Sequence, residues 1–285
     1  MQYSLNNNPA YTHENVFIDY KDIWIKQTDI GTFRVYQKNM SKAIWNPNAG
    51  RQLAFFVMLK ERVIGLIFLG SDVLNLDARD KFLGLSKDKI IRGQQLKDYF
   101  NLGVCVGAQP LSWYWNIGKL CALLACTLGD YIHKRYPEVN FKGITTTSLW
   151  GESIQYDRIF KFIGYTKGYG TEHISDKKYK EIVKWLKVNH IPKPKARTSI
   201  KMMLIQQYIR YHGPDEDVYT TIHGHRRGVY YHPAIPPEQR EEVIKYWYYR
   251  WGLPRYERLK DKEPPYRNGL EGGKIATSKL PIKED

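Results

Sequence analysis

Cysteine, long apolar runs and acidic residues are the three things this sequence has little of. There are three cysteines in 285 residues, Cys105, Cys121 and Cys126. Their odd number and irregular spacing exclude a disulfide framework and fit no metal motif. Each sits inside an apolar run, where a cysteine acts as a small reduced hydrophobe. No run is long enough to span a bilayer, and no apolar stretch near the start resembles a signal peptide. A cytoplasmic protein with no membrane partner is therefore expected. Asp and Glu number 29 against 44 Lys and Arg, for a net charge of +15. Such a surplus favours a polyanionic partner through steering and counterion release, with DNA the expected one. A basic surface that only keeps the protein soluble is the alternative. The histidines are not spaced as a zinc site, and no metal is expected.

A core is present. Hydrophobic residues make up 42% of the chain and aromatics 14%, so a folded protein of one or two domains is expected. Residues 1–50 read as a polar N-terminal segment, with room for a short strand or two between Tyr20 and Tyr36. Leu53–Leu59 (LAFFVML) and Val63–Leu69 (VIGLIFL) flank Lys60-Glu61-Arg62 as an antiparallel hairpin. Both runs are apolar on both faces, so their sheet should be covered on both sides. Residues 70–100 carry no clear periodicity. Leu102–Ala108 reads as a strand, Gln109–Trp115 as a loop, and Ile117 to about 135 as one helix ended by Pro137. Phe141–Thr147 reads as a strand, Gly151–Phe162 as a helix and Gly164–His173 as extended chain. The order predicts an α/β fold, a mixed sheet flanked by helices over residues 51–175. A basic, aromatic and helical C-terminal extension over 176–285 is expected beyond it. Its helices are Asp176–Val188, capped by Ser175, Ser199–Tyr211, and Pro237–Trp251 ended by Gly252. The last twenty residues should fray.

The strand, loop and helix from Leu102 to 135 could hold an anion. First-turn amides point into the loop, and Gly118 would let a ligand approach the backbone. Val106, Gln109, Asn116, Gly118 and Lys119 are the candidate cofactor-binding residues. The arrangement resembles the acetyl-donor site of the GNAT acetyltransferases, and that resemblance alone implies acyl-coenzyme A. An ordinary packed helix start is the other reading. In Ala78-Arg79-Asp80-Lys81-Phe82-Leu83-Gly84, Asp80 could accept a proton from an exocyclic amine with Arg79 beside it. The same two residues could be a simple ion pair. Hydroxyls at Thr145-Thr146-Thr147-Ser148 could line a cleft at a strand end or cap the next segment.

Gly164-Tyr165-Thr166-Lys167-Gly168-Tyr169-Gly170 offers donors to a phosphate, or else bends an edge strand. His223-Gly224-His225-Arg226-Arg227-Gly228-Val229-Tyr230 interleaves cations with aromatics, which suits phosphate contact and stacking. Thr166, Lys167, Tyr169, His225, Arg226, Arg227 and Tyr230 are the candidate nucleic-acid contacts. The second aromatic run, Lys245 to Trp251, is read as core packing.

Together the segment Ala78–Ser86, the segment Asn101–Asp130 and the Gly-x-Thr-x-Gly-x-Gly segment at 164–170 resemble the DruA-like domain of Druantia anti-phage systems. Mom-type DNA modification proteins of phages are its cousins. The resemblance covers roughly residues 50–175 and implies a GNAT-like core. From the Mom-type side it implies modification of adenine in DNA, and from the Druantia side a role in defence. Gln155-Tyr156-Asp157-Arg158-Ile159-Phe160 stands where relatives carry a Tyr-Arg-Ala-x-x-Trp-like stretch. Tyr156 is the tyrosine there that could serve as an acid. The expectation is a DNA-modifying transferase, with a non-catalytic DNA-binding component and an acyltransferase on tRNA or protein as alternatives.

Overall fold

The computed structural model describes residues 17–41, 50–148, 151–171, 176–192, 200–213 and 222–262. The last twenty residues and Ser175 lie outside them. The described chain forms two units. One holds the residues up to Thr147, Ser153–Gly164 and those from Val229 onward; the other holds Ser148–Glu152 and Tyr165–Gly228.

The first unit is a mixed α/β structure on a twisted hairpin. Strands β2 (Gln52–Leu59) and β3 (Arg62–Ser71) pair antiparallel, with Leu59 opposite Arg62. Lys60, at φ 52°, turns the chain between them. β1 (Ile23–Thr28) adds antiparallel to β2, and β4 (Tyr99–Gly107) adds antiparallel to β3. β5 (Gly143–Thr147) runs parallel to β4 over three register pairs, Tyr99 with Gly143 to Asn101 with Thr145. β7 (Ile222–Pro233) pairs antiparallel with β5 through Val229–Pro233, and β6 (Lys161–Thr171) comes last in a seven-stranded sheet ordered β1-β2-β3-β4-β5-β7-β6; β6 from Tyr165 on and β7 up to Gly228 belong to the second unit.

The expected two-sided burial is there, and it follows strand alternation except at Ile64, where the β2–β3 register shifts. Phe55, Val57, Ile64, Ile67 and Leu69 face one apolar cluster; Ala54, Phe56, Met58, Leu66 and Phe68 face the other. The second cluster is covered by α1 (Ile30–Met40), which buries Phe33 and Met40. A helix there corrects the expectation of strands alone between Tyr20 and Tyr36. Asp29 caps it, its Oδ1 accepting from the Thr32 amide at 2.8 Å.

The first face carries a connection expected to be one loop and one helix. Instead the loop contains α4 (Leu111–Trp115), and the helix is split into α5 (Ile117–Ala125) and α6 (Gly129–Arg135). Asn116, in the left-handed region at φ 58°, turns α4 into α5, all of which is buried. The break after Ala125 frees carbonyls that the C-terminal chain takes up. Ile235 N donates to Cys126 O at 2.9 Å. Arg240 Nη2 donates to Thr127 O at 2.7 Å.

That C-terminal chain runs through α9 (Arg240–Trp247), a π turn at Tyr248–Gly252 and α10 (Leu253–Leu259). Gly252 was expected to end the helix. It lies inside instead, where a Cβ would stand 3.2 Å from the Trp247 ring and 3.4 Å from Trp115. Trp247 and Tyr248 of the aromatic run pack as core, with Tyr248 5.7 Å from Trp115, while Tyr246 and Tyr249 are exposed. The unassigned stretch 70–100 contains α2 (Asp77–Phe82) and α3 (Lys89–Gln95).

The helix expected over Gly151–Phe162 is absent. Residues 151–160 form turns, with Arg158 at φ 64°. The carbonyls of Ile154, Gln155 and Asp157 all accept from the Lys119 ammonium. Carbonyls aimed at one side chain cannot build an i to i+4 ladder.

In the second unit, α7 (Asp176–Val188) and α8 (Ile200–His212) pack through Ile182, Leu186, Leu204, Ile205 and Tyr208. No helix among the described residues is long and apolar enough to cross a membrane.

Close packing of α5 on β3 makes one substitution informative. A Cβ at Gly65 would stand 2.4 Å from Cys121 Sγ and 3.3 Å from Ile117 Cγ2. Gly65→Ala should cost ~1–3 kcal/mol through overpacking, read as a lower urea midpoint. An unchanged midpoint would mean that helix and strand are not in such contact.

Candidate functional site

The apolar run of β3 ends at Ser71 with Asp72, a carboxylate at the rim of the sheet. Its Oδ1 meets Arg79 Nη1 at 2.7 Å with both side chains fully buried, and its Oδ2 accepts from the Thr145 hydroxyl on β5. Arg79 lies on α2, where Asp80 Oδ1 takes Nη2 at 2.5 Å and Nε at 2.9 Å. Nη1 also donates to Val73 O at 2.7 Å, and Nη2 lies 3.5 Å from Leu74 O. A guanidinium has five N–H donors in a rigid fork, and here each has an acceptor. Asp80 Oδ2 accepts from Leu76 N at 3.1 Å and faces Arg92 Nη1 at 3.8 Å. Arg92, on α3, donates to Asn75 Oδ1 at 2.6 Å, and its Nε is buried without a partner.

Asp80 and Arg79 are thus the ion pair that was one reading of the sequence. Both Asp80 oxygens are engaged inside the protein, so removing a proton from a substrate would first require breaking a buried pair. Tyr156 stands elsewhere. It is buried, with its ring 5.3 Å from Tyr230 and 5.6 Å from Phe160. Burial pushes its hydroxyl well above the usual tyrosine range, against a hydrogen bond with Thr146. Thr145 serves the Asp72 network and Thr146 serves Tyr156. Successive residues of a strand point to opposite faces, so Asp80 and Tyr156 lie on opposite sides of the sheet.

Gly118 and Lys119 share the Tyr156 side, whereas Val106 packs on the other face. Lys119 is buried, and its Nζ donates to Ile154 O at 2.7 Å, Gln155 O at 3.3 Å and Asp157 O at 2.7 Å. All three ammonium donors are then used; burial lowers the lysine pKa. The space over Gly118 holds Gln155, whose Oε1 lies 3.0 Å from a would-be Cβ. Gln155 Nε2 donates to Cys105 O at 2.9 Å, bridging β4 to the 153–157 turn. Asn116 O accepts from Trp247 Nε1 at 3.3 Å. Val106 is half-buried, and its carbonyl receives Cys121 Sγ at 3.7 Å. Gln109 Oε1 is buried without a partner, but it is an acceptor and repels a phosphate. These residues do not fit the pyrophosphate of acyl-coenzyme A, because the chain itself fills the place. The cysteines are free and buried, with Cys105 pushed up to about 12 by burial. Among the described residues no cluster could hold a metal ion.

The nucleic-acid candidates are divided. Thr166 Oγ1 accepts from Arg227 N at 3.1 Å, and burial lowers the Arg227 pKa. Lys167 and Arg226 are exposed. The side chains of Tyr169 and His225 lie outside the described residues. Tyr230 is buried, its hydroxyl accepting from Ser153 N at 2.7 Å, which leaves no ring face for a base.

Asp72 and Arg92 escaped the sequence reading. An Asp closing an apolar strand run was a usable signal for the first. The partnership of Arg92 with Asn75 and Asp80 has no helical spacing to betray it.

A family model described as Druantia protein DruA matches residues 24–243. The chain belongs to the Druantia DruA family. A DruA protein of Escherichia coli strain UMEA 4076-1 is 32% identical over 160 residues, 48% of this chain and 39% of that relative. The match therefore spans well under half the length of that DruA. A crystal structure of an agmatine N-acetyltransferase mutant in its apo form aligns at 11% identity and TM-score 0.30, covering 74% of this chain and 99% of that one. A likeness that slight carries no argument about fold or chemistry.

The Lys119 lock is testable. Lys119→Met leaves three carbonyls without their donor and should cost on the order of 3 kcal/mol in urea denaturation. A loss below about 1 kcal/mol would show that water satisfies them equally well.

Proposed function

We propose that this chain is a DNA-engaging component of a Druantia-type anti-phage system that binds duplex DNA without modifying its bases. The observation that carries this reading is where the charge sits. The chain has 15 more cations than anions, and only Arg79, Arg92 and Lys119 are buried among the described residues. The other lysines and arginines whose side chains are described reach solvent at least in part, where they can neutralise phosphates. Nucleobase modification of the Mom type is the other reading of the resemblance. It would need a free base, an acid near it and a donor site. Asp80 is tied into an ion network, Tyr156 lies across the sheet from it, and the helix start at Gly118 is filled. Binding without chemistry is the simpler use of such a molecule.

The test joins binding with product analysis. The purified chain should bind duplex DNA with log K falling against log salt at a slope of about −4 or steeper, as four or more phosphate contacts require. Arg226→Ala should make that slope shallower by about 1. DNA from cells expressing the chain should give an unchanged nucleoside mass profile. A new nucleoside mass would instead restore the transferase reading. Binding with no salt dependence, or tighter binding to tRNA than to duplex DNA, would defeat this one.

A further inference from the structure

The α2–α3 segment buries two arginines, Arg79 and Arg92, and exposes apolar side chains. Ile90 is 74% exposed and Ile91 50%. Next to them, Leu74 is 40% exposed, and its Cδ1 lies 3.8 Å from where a Cβ of Gly93 would stand. Gly93 is one turn on from Ile90 on α3, so Leu74 and Ile90 border one face.

This tip is held firmly. Asp88 Oδ1 accepts from Ile90 N at 2.8 Å and Ile91 N at 3.0 Å. Gln95 Oε1 accepts from Ser86 N at 2.8 Å, closing the turn before the helix. From below, Arg92 ties α3 to Asn75 and to the Arg79 network. Two branched apolar side chains are thus presented outward on a base with little freedom. Their surroundings are positive. Lys87 and Lys89 are exposed on either side of Asp88. Asp88 keeps its charge while its Oδ1 accepts from the helix amides, leaving the Lys87-Asp88-Lys89 run positive by one, and the other nearby carboxylates are paired, Asp77 with Lys81 at 3.2 Å and Asp72 and Asp80 with Arg79. An exposed apolar pair between lysines matches a partner with a polyanionic rim and an apolar interior. Stacked base pairs between two phosphate backbones have that character.

We propose that Ile90 and Ile91 form a wedge that enters duplex DNA at a base step from the minor groove, with Lys87 and Lys89 on the flanking phosphates. This rests on the reading of the chain as a DNA binder and names how it would grip. Entry between base pairs separates them and bends the duplex away from the wedge. Pyrimidine–purine steps open most readily and should be preferred.

The experiment uses the full chain with a duplex carrying 2-aminopurine at a central TA step and a dye at each end. The wild type should raise 2-aminopurine fluorescence severalfold and bend the duplex by roughly 20° or more. The double variant Ile90→Ser, Ile91→Ser should keep its urea midpoint, since both side chains are solvent-facing. It should lose the fluorescence rise and the bend, and bind about tenfold more weakly with its salt slope intact. The pair Lys87→Ala, Lys89→Ala should keep the unstacking signal while the salt slope becomes shallower by about 2. A serine variant that unstacks and bends as the wild type does would overturn the wedge. So would wild-type binding with no unstacking, which would leave the DNA-binding reading standing. No DNA binding by any form would end that reading and this inference together. A wild-type dimer made monomeric by the serines would assign the patch to self-association and overturn the wedge as well.

Discussion

Arg79 is a fully buried cation, and the segment between β3 and β4 is arranged around it. Removing a guanidinium and two carboxylates from water costs several kcal/mol per ion before any contact is made. That cost is offset only when every donor and acceptor finds a partner. Here the guanidinium fork is saturated by Asp72, Asp80 and two carbonyls, and the aspartates are shared with Thr145, Leu76 and Arg92. The network joins four pieces of chain: the end of β3, α2, α3 and β5. Apolar burial could not do the same work, since α2 buries no apolar side chain and α3 none. Charge therefore does on this rim what hydrophobic packing does in the middle of the sheet.

A second buried cation performs a parallel task on the other face. Lys119 replaces the helix expected at 151–162 with a turn wrapped around its ammonium, and that turn carries Gln155 into the space over Gly118. The two faces are thus closed by the same means, a cation turned inward onto oxygen acceptors of its own chain. This bears directly on function. The residue types that suggest an enzyme are all present, but the structure uses them internally and on opposite sides of the sheet. Among the described residues that do face solvent are many lysines and arginines and the apolar tip of α3.

Local and strongly patterned features were legible in the sequence. The LAFFVML and VIGLIFL runs could hardly be anything but paired strands buried on both faces, and Leu102–Ala108 and Phe141–Thr147 read as the strands that became β4 and β5. Of the 245–251 aromatics, Trp247 and Tyr248 packed as core, as read, while Tyr246 and Tyr249 face solvent. Legibility failed where a distant partner decided the outcome. The break after Ala125 depends on Arg240 and Ile235, more than a hundred residues away. Gly252 looked like a helix stop but is the small residue that lets Trp247 and Trp115 approach. Tyr230 read as a ring for stacking on a base; on β7 it points into the core, while Arg226 beside it stays exposed. In the site, adjacency suggested the Arg79–Asp80 pair, but its closure by Asp72 and Thr145 came only with the sheet.

The central claim is that the Asp72–Arg79 pair holds the α2–α3 segment to the sheet. Hydrogen exchange in the near-isosteric variant Asp72→Asn tests it most directly. Neutralising Asp72 leaves Arg79 short of a counter-charge without opening a cavity. Amides in residues 73–96 should then exchange at least about tenfold faster, while those of β2 and β3 stay protected, because only the local opening becomes easier. Unchanged exchange over 73–96, or an equal loss across β2 and β3, would contradict the account.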